Sequence, residues 1–352
     1  MAPITNGSAN FNEAPERFVN ENTISYNSSS IDIDQAELNG GILAKTLYLS
    51  IDPHLRRWMD KGDTSTGPGY ELGKPIWGIG LATVLRSEKN GVRRGDVIYV
   101  PTYLELALAF QEYNILGADT PLRVIRPEPE VSLSAYLNVL GMPGQTAFYG
   151  LESIGNPKAG ETIYVSAGAG AVGSLVAQLA KAKGLKVIAS AGSDEKVEEM
   201  KRMGVDVAFN YKLEDVTDVL AKEGPIDIYW DHIGGPQLEA AIGACNLYAR
   251  IIVCGALLAF NNAPPYHVKN LAEILYKRLR VQGFMYWEAE VEVEGHSGNP
   301  TKFINTLTPL VKSGQIRWTE QIFDGIESTN RAIAVALTGA STGKVIVKIA
   351  SL

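Results

Sequence analysis

The chain has very little cysteine. Only two of its 352 residues are cysteines, Cys245 and Cys254, and no C-x-x-C pair is present. Structural zinc sites take several closely spaced cysteine and histidine ligands, so the sequence predicts no metal site. We expect both thiols to be small buried hydrophobic groups, and a disulfide is not expected in a reducing compartment.

The chain also lacks a surplus of basic residues and any long apolar run. Its formal net charge is −7 at pH 7. This charge disfavours nucleic acid and anionic membrane surfaces as partners. No apolar segment reaches the length of a membrane span, and the first residues lack the basic and apolar regions of a signal peptide. We therefore expect a cytoplasmic protein that binds neither nucleic acid nor membrane.

The composition, with 45% hydrophobic and 20% charged residues, is typical of a globular protein large enough for two domains. Residues 1–134 carry short apolar runs between turn residues, which predicts a mostly antiparallel β domain with a short helix at Leu104–Ala109. Residues 135–315 alternate strands with helices, which predicts a doubly wound parallel sheet. Residues 316–352 hold too few elements for a domain. We expect them to return to the β domain, which is then discontinuous.

A glycine-rich turn opens the alternating region. The apolar run Thr162–Ser166 predicts a strand, and Gly168, Gly170 and Gly173 follow it in G-x-G-x-x-G spacing before a predicted helix. Glycine at these positions allows a sharp turn, close approach to a pyrophosphate and close packing of helix on strand. The pyrophosphate would lie at the helix N-terminus, where free N–H groups favour an anion. The spacing therefore predicts a dinucleotide site.

The residues after the second strand indicate which dinucleotide. An NAD site usually has an acidic residue about 20 positions beyond the glycines. Here the strand end carries none, while Lys196 follows within one helical turn and Tyr211 closes the next strand. Lys196 and the hydroxyl of Ser193 offer a charge and a donor to a 2′-phosphate, which favours NADP. Alternatively, Lys196 is a solvated helix residue and Ser193 or Asp194 a helix cap; Asp194 also argues against NADP.

Several short stretches form a recognisable set when taken in their order along the chain. They are Leu49–Pro53, Gly141–Ala147, the glycine loop through Gly173, Ala191–Lys196, Phe209–Lys212, Val253–Ala256, Leu275–Arg278 and Gly343–Lys344. With them nearly the whole chain resembles the zinc-independent medium-chain dehydrogenase/reductases, and above all their alkenal double-bond reductases, which include the leukotriene hydroxydehydrogenase/prostaglandin reductase enzymes. The opening residues and Ile31–Asp34 most resemble fungal members.

The resemblance implies a fold and a reaction. It implies a GroES-like β domain formed by residues 1–134 and 316–352, a Rossmann NADP-binding domain over residues 135–315, and usually a homodimer. The implied reaction is reduction of the C=C bond of an enal or enone by NADPH, with hydride added at the β-carbon and a proton at the α-carbon. Tyr276, on a helix predicted over Val268–Lys277, matches the tyrosine assigned to the reacting carbonyl, where a phenol can donate a proton. Without the resemblance, Tyr276 would be interpreted as an ordinary amphipathic-helix residue.

The resemblance also implies the residues that contact the cofactor. Lys196 and Tyr211 would contact the 2′-phosphate, and Gly192 the ribose that carries it. The full implied set of cofactor-binding residues is Gly168, Ala169, Gly170, Ala171, Val172, Gly173, Gly192, Ser193, Lys196, Tyr211, His232, Cys254, Phe260, Phe284, Tyr286 and Ser341.

Four residues depart from the family pattern where the family binds nicotinamide or substrate. His54 replaces a tyrosine, His232 an asparagine, Phe260 a tyrosine and Ser341 an asparagine. Histidine titrates near neutrality, so we predict that His54 is catalytic with Tyr276 and consider His232 for the same role; either could instead be a hydrogen-bonded filler.

These departures leave three functions open. The first is enone reduction, with a role in fungal secondary metabolism as a hypothesis. The second is a zinc-independent, NADP-dependent alcohol dehydrogenase or carbonyl reductase. The third is an NADPH-binding protein without turnover.

Overall fold

The computed structural model describes residues 3–60, 69–101, 107–260, 264–295, 298 and 300–352. The chain divides into two compact units. The first comprises Met1–Leu137 and Glu320–Leu352, and the second Asn138–Thr319. Within the described ranges, no helix combines the length and apolar character needed to span a membrane.

Seventeen strands are present in the described part of the chain. In chain order they are β1 (Ile4–Phe11), β2 (Ile24–Ile31), β3 (Ile42–Ile51), β4 (Trp77–Gly78), β5 (Gly80–Ser87), β6 (Val97–Val100), β7 (Leu108–Ala109), β8 (Tyr113–Leu116), β9 (Arg123–Ile125), β10 (Thr162–Val165), β11 (Lys186–Ala191), β12 (Val207–Asn210), β13 (Ile226–Asp231), β14 (Cys245–Val253), β15 (Arg280–Gly283), β16 (Glu320–Asp324) and β17 (Lys344–Lys348).

The α-helices of the same described ranges lie mainly in the second unit. They are α1 (Met142–Gly150), α2 (Ala171–Ala182), α3 (Asp194–Arg202), α4 (Val216–Glu223), α5 (Gly235–Ala244), α6 (Leu257–Phe260), α7 (Ala272–Lys277), α8 (Tyr286–Glu294), α9 (Thr301–Lys312) and α10 (Thr329–Leu337). Shorter helical turns occur at Pro53–Met59, Leu133–Leu137, Leu151–Gly155 and Ile326–Ser328.

The first unit is built on a seven-stranded sheet. Its order is β16-β17-β3-β5-β6-β9, and β8 also pairs with β3. The C-terminal strand β17 runs antiparallel to β3, with Val345 opposite Ile51 and Val347 opposite Leu49. All four of these side chains are buried in one hydrophobic core. The tail thus joins the sheet of the first unit, because alternate apolar residues of β17 complete that core.

The second unit is a parallel sheet of six strands with helices between them. Its order is β12-β11-β10-β13-β14-β15, and each neighbouring pair is parallel. Numbered from β10, this is the 3-2-1-4-5-6 order of a Rossmann fold, which confirms the predicted fold class. The order reverses between β10 and β13, and ligands of such sheets bind beyond the carboxyl ends of the strands at that point.

The central strands are mainly apolar, as is usual where helices cover both faces of a parallel sheet. Ile163, Tyr164 and Val165 of β10 have no exposed surface. The ring of Tyr164 stacks on that of Tyr229 in β13, with centroids 5.0 Å apart. This packing fixes the strand ends from which the candidate cofactor loops emerge.

Two helix predictions need correction. Residues 104–106 lie outside the described part of the chain, but Leu108–Ala109 forms β7 and pairs with Trp77–Gly78. The helix predicted over Val268–Lys277 begins only at Ala272. The segment before it is held to α5 instead, because Lys269 N and Asn270 Nδ2 both donate to Glu239, at 2.8 Å each.

Candidate functional site

The glycine turn joins β10 to α2. A Cβ atom added at Gly173 would lie 2.4 Å from the carbonyl oxygen of Ala167, and one added at Gly168 would lie 2.7 Å from Cβ of Ala189. Ala167 itself has a φ of 51°, which is uncommon for a residue with a side chain. Gly173 therefore allows α2 to pack directly on the turn, and Gly168 allows the turn to pack directly on β11.

The start of α2 has the features of an anion site. The N-cap is Gly170, which has no side chain to accept a hydrogen bond from the first turn. A Cβ atom at Gly170 would lie 3.2 Å from Ala167 O, its nearest neighbour, so there is more space here than at Gly168 or Gly173. The first-turn N–H groups of a helix have no intrahelical acceptor, and the dipole favours negative charge there. Ala169, Ala171 and Val172, partly exposed beside Gly170, complete this end of the predicted pyrophosphate site.

The next loop shows which residues cap α3. The hydroxyl of Ser193 accepts a hydrogen bond from Lys196 N at 3.5 Å, so Ser193 is the N-cap of this helix. The carboxylate of Asp194 accepts from Asn210 Nδ2 at 2.8 Å. Asp194 is thus bound by the neighbouring strand end, which weakens it as a ligand for a ribose hydroxyl.

Cations and a phenol gather beside the same loop. A Cβ atom at Gly192 would lie 3.1 Å from the Tyr211 hydroxyl and 3.3 Å from Cε of Lys212. Partial burial lowers the pKa of Lys196, and the nearby Lys212 ammonium lowers it further. The site predictions included Gly192, Lys196 and Tyr211 but missed Lys212, although it directly follows Tyr211 in the Phe209–Lys212 stretch.

At the end of β13 the buried residue Asp231 fixes two loops, one through its carboxylate and the other through its backbone carbonyl. Oδ1 of Asp231 accepts hydrogen bonds from Ile233 N at 3.0 Å and Gly234 N at 2.8 Å. The carbonyl oxygen of Asp231 accepts from Cys254 N at 2.9 Å and Gly255 N at 3.1 Å. Burial raises the pKa of Asp231 despite these amide donors. Asp231 therefore ties the loop after β13 to the loop after β14, where cofactor contacts are predicted.

The imidazole of His232 is buried and both of its nitrogens are engaged. Nε2 accepts from Trp230 Nε1 at 3.1 Å, so the proton lies on Nδ1, which donates to Ser166 O at 2.7 Å. Burial lowers the pKa of His232 to about 4. A neutral ring with both nitrogens in hydrogen bonds is poorly suited to relay protons. This favours the alternative that His232 is a hydrogen-bonded structural residue. Whether the His232 backbone contacts the cofactor remains a prediction.

The other predicted nicotinamide neighbours lie on the following loops. Burial raises the pKa of Cys254 to about 12, so this residue is a neutral thiol. Phe284 packs edge-to-face against Trp230, with centroids 5.9 Å apart, and Tyr286 is buried at the start of α8. Phe260 ends α6, but its side chain lies outside the described part of the structure.

Tyr276 lies on the short helix α7 of the second unit and is 65% exposed. Its neighbour Leu275 is also exposed. The phenol is therefore accessible from solvent and available to a ligand. Its predicted role as proton donor is not decided by this position.

In the first unit a buried ion pair joins two distant parts of the chain. Nζ of Lys344 lies 2.5 Å from Oδ1 of Asp52 and donates to Ile51 O at 2.6 Å. Ser50 Oγ donates to the other carboxylate oxygen at 2.5 Å. Burial opposes ionisation of Asp52, but Lys344, the nearby His54 and the Ser50 hydroxyl hold its pKa below the usual range. The site predictions did not include this pair.

His54 follows Asp52 on a helical turn lined with aromatic rings. Its ring meets Trp58 edge-on, with centroids 4.9 Å apart, and Trp58 lies 4.3 Å from Trp77. Burial lowers the pKa of His54, while Asp52 opposes this shift. The imidazole is thus neutral near pH 7 and keeps one N–H donor.

Ser341 is partly exposed and lies in the segment before β17.

Comparisons with known proteins identify the family of this chain. A family described as "Zinc-binding dehydrogenase" matches residues 171–294, and one described as "N-terminal domain of oxidoreductase" matches residues 10–115. The NADP(+)-dependent 2-alkenal reductase of Nicotiana tabacum is 35% identical over 94% of this chain and 93% of its own. The (+)-pulegone reductase of Mentha piperita is 38% identical over 88% of each chain.

The chain belongs to the zinc-independent medium-chain dehydrogenase/reductases, in their alkenal and enone reductase group. A solved structure agrees with this assignment. CurA from Vibrio vulnificus in complex with NADPH has a TM-score of 0.87 and 28% identity, and the match covers 98% of this chain and 100% of CurA.

The described residues of this chain do not form a zinc site, although the matched family description names zinc. Among the residues that the structure describes, no group of three or more His, Cys, Asp and Glu side chains is placed to hold a metal ion. Burial also raises the pKa of both Cys245 and Cys254 to about 12, whereas metal ligation takes thiolates. These thiols therefore do not suit a zinc site.

Proposed function

We propose that this protein uses NADPH to reduce the C=C bond of an enal or enone. It is an NADP-dependent oxidoreductase, and its relatives reduce alkenals and pulegone. One observation within the chain supports the use of NADPH most directly: the Tyr211 hydroxyl and Cε of Lys212 lie beside Gly192, Lys212 is close enough to Lys196 to lower its pKa, and Asn210 binds the carboxylate of Asp194. A 2′-phosphate carries close to two negative charges, so it suits this loop better than a neutral ribose hydroxyl does.

The residues of the second unit would hold the cofactor. The N–H groups at the start of α2 would bind the pyrophosphate, and the loops fixed by Asp231 and His232 would run beside the nicotinamide. When bound, NADPH supplies the hydride. The buried, pre-formed hydrogen bonds around Asp231 keep these loops ordered before the cofactor arrives, which lowers the ordering cost of binding.

The proton must reach the α-carbon of the substrate as hydride reaches the β-carbon. The exposed phenol of Tyr276 and the neutral imidazole of His54 are the two candidate donors. Either would stabilise the enolate oxygen by a hydrogen bond, which lowers the barrier because the negative charge develops there. Tyr276 retains the family residue at its position, so it is the favoured donor; His54 is the alternative donor.

Turnover with defined substrates tests the proposal. The purified protein is mixed with NADPH and a set of small and extended enones, and products are identified by mass spectrometry and NMR. We expect oxidation of NADPH with saturation of the C=C bond and an intact carbonyl group. An allylic alcohol as product would favour carbonyl reduction instead. Tight NADPH binding without turnover of any enone or carbonyl compound would favour a binding protein.

Three further properties belong to the same proposal. We infer a cytoplasmic homodimer, and a role in fungal secondary metabolism on polyketide-like enones. Analytical ultracentrifugation tests the oligomeric state, since a monomer at micromolar concentration would contradict it. Turnover of polyketide-like enones compared with that of simple alkenals tests the metabolic role.

A further inference from the structure

A buried asparagine shapes the turn after β12. Oδ1 of Asn210 accepts from Lys212 N at 3.1 Å, and its carbonyl oxygen accepts from Leu213 N and Glu214 N, at 2.9 Å each. The same side chain donates to Asp194 from Nδ2. Asn210 therefore fixes the direction in which Lys212 leaves the strand, and it engages a carboxylate at the start of α3 at the same time.

The side chain of Lys212 then turns back over the neighbouring loop. Its Cε atom and the Tyr211 hydroxyl lie within 3.3 Å of the point where Gly192 would carry a Cβ atom. Any side chain at Gly192 would therefore meet both groups. Because Gly192 has no side chain, the methylene chain of Lys212 lies against the loop that leads into α3 and Lys196.

The charges at this loop suit an anion with more than one negative charge. Lys212 lies close enough to Lys196 to lower its pKa, so the two ammonium groups repel each other. The two carboxylates of the first turn of α3 are engaged elsewhere, Asp194 by Asn210 and Glu195 by the Ser193 hydroxyl and its own backbone N–H. A dianion bound between the two cations would remove their repulsion and gain attraction from both.

We propose that Lys212 is a second cationic ligand of the 2′-phosphate of NADP, beside Lys196, and that Asn210 positions it. This inference rests on the proposed function and identifies a residue that sets its cofactor preference. It assigns Lys212 to binding and not to the hydride or proton transfer.

Two fragments of the cofactor isolate the phosphate from the rest of the site. 2′,5′-ADP carries the 2′-phosphate and 5′-AMP does not. The Kd for 5′-AMP divided by the Kd for 2′,5′-ADP therefore reports on that group alone. Isothermal titration of the full-length protein is carried out for the wild type, Lys212→Gln, Lys196→Gln and Lys222→Gln. Lys222 is the matched control, a lysine of α4 whose side chain is 82% exposed and 3.6 Å from Glu223.

We expect Lys212→Gln to weaken 2′,5′-ADP by about tenfold, about 1.4 kcal/mol, and to leave 5′-AMP within about twofold. Lys222→Gln should change neither ligand. Because the ratio is taken within one variant, a change in the folded fraction cancels.

An unchanged ratio in Lys212→Gln, with a reduced ratio in Lys196→Gln, would overturn the role of Lys212 and leave the NADP preference standing. Equal affinity of the wild type for the two fragments would overturn both.

Discussion

Nζ of Lys344 lies 2.5 Å from Oδ1 of Asp52, and both side chains are almost completely buried. The pair joins the end of β3 to the start of β17, 292 residues later in the chain. Removing one partner leaves the other charge buried and unpaired, which typically costs about 3–5 kcal/mol. The C-terminal strand thus depends on this pair as well as on its apolar face.

We predict that Lys344→Met lowers the free energy of unfolding of the first unit by about 3–5 kcal/mol. Lys348→Met, on the same strand but partly exposed, is the control and should cost less than about 1 kcal/mol. Urea unfolding followed by Trp58 and Trp77 fluorescence, with the other tryptophans replaced, measures the difference. Equal effects of the two variants would contradict a special role for the ion pair.

The ion pair also predicts a direction of pH dependence. The folded protein holds the pKa of Asp52 below its unfolded value of 3.8, so its contribution is fully present above that pH. The contribution should be lost as pH falls through the lower, folded pKa. In Asp52→Asn this part of the acid dependence should be absent.

His232 changes stability in the same direction but at higher pH, because burial lowers the pKa of its imidazole. Its folded pKa of about 4 lies below the unfolded value of 6.5, so the unfolded chain binds the proton more readily between these two values. The free energy of unfolding should therefore fall by about 3 kcal/mol as pH drops from 6.5 to 4. His232→Asn, which installs the family residue, should flatten this region of the stability curve. Curves of equal slope for both proteins would show that His232 does not titrate in this way.

Tyr276→Phe tests the proton donor directly. It removes one hydroxyl and should lower turnover by ~10–10⁴-fold while the Kd for NADPH stays nearly unchanged. Tyr248→Phe is the matched control, since Tyr248 is another tyrosine of the second unit and is 66% exposed. Steady-state kinetics and NADPH titration give both quantities. Wild-type turnover in Tyr276→Phe would assign the proton to another group, and His54→Phe would then be the next variant to measure.

Two glycines of the cofactor turn should respond differently to alanine. At Gly173 the added Cβ would lie 2.4 Å from a backbone oxygen, so we expect Gly173→Ala to lower stability by about 1–3 kcal/mol. At Gly170 the nearest atom is 3.2 Å away, so Gly170→Ala should fold and lose mainly NADPH affinity. Thermal unfolding and NADPH titration separate the two effects. A folding defect in Gly170→Ala larger than that in Gly173→Ala would contradict the assignment.

The sequence predicts the sheet and the glycine turn because their signals are local. Strand, turn and helix of the β10–α2 unit follow one another within about twenty residues, and each is visible as a pattern of residue types. The predicted beginning of α7 was wrong because the interactions that decide it are not local. Contacts of Lys269 and Asn270 with Glu239 on another helix decide the conformation there, and no local pattern reports them.

The site chemistry depends on still longer separations. His232 looked like a possible proton relay because only the residue type was visible. Its acceptor Ser166 lies 66 residues away, and that contact shows a ring already engaged in hydrogen bonds. Asp194 likewise disfavoured NADP when only its residue type was visible. Its contact with Asn210 shows that the carboxylate is already hydrogen-bonded. Such pairings come from the topology of the sheet and cannot be read from spacing.

The cofactor-selecting groups have a practical consequence. Gly192, Ser193 and Lys196 form one short segment, and Tyr211 and Lys212 form another; none of these five residues belongs to the hydrophobic core. Substrate chemistry is assigned to Tyr276 and His54, which lie on other elements. Exchanging the two segments for those of an NADH-dependent enzyme should therefore give a catalyst that runs on the cheaper coenzyme with its product spectrum retained.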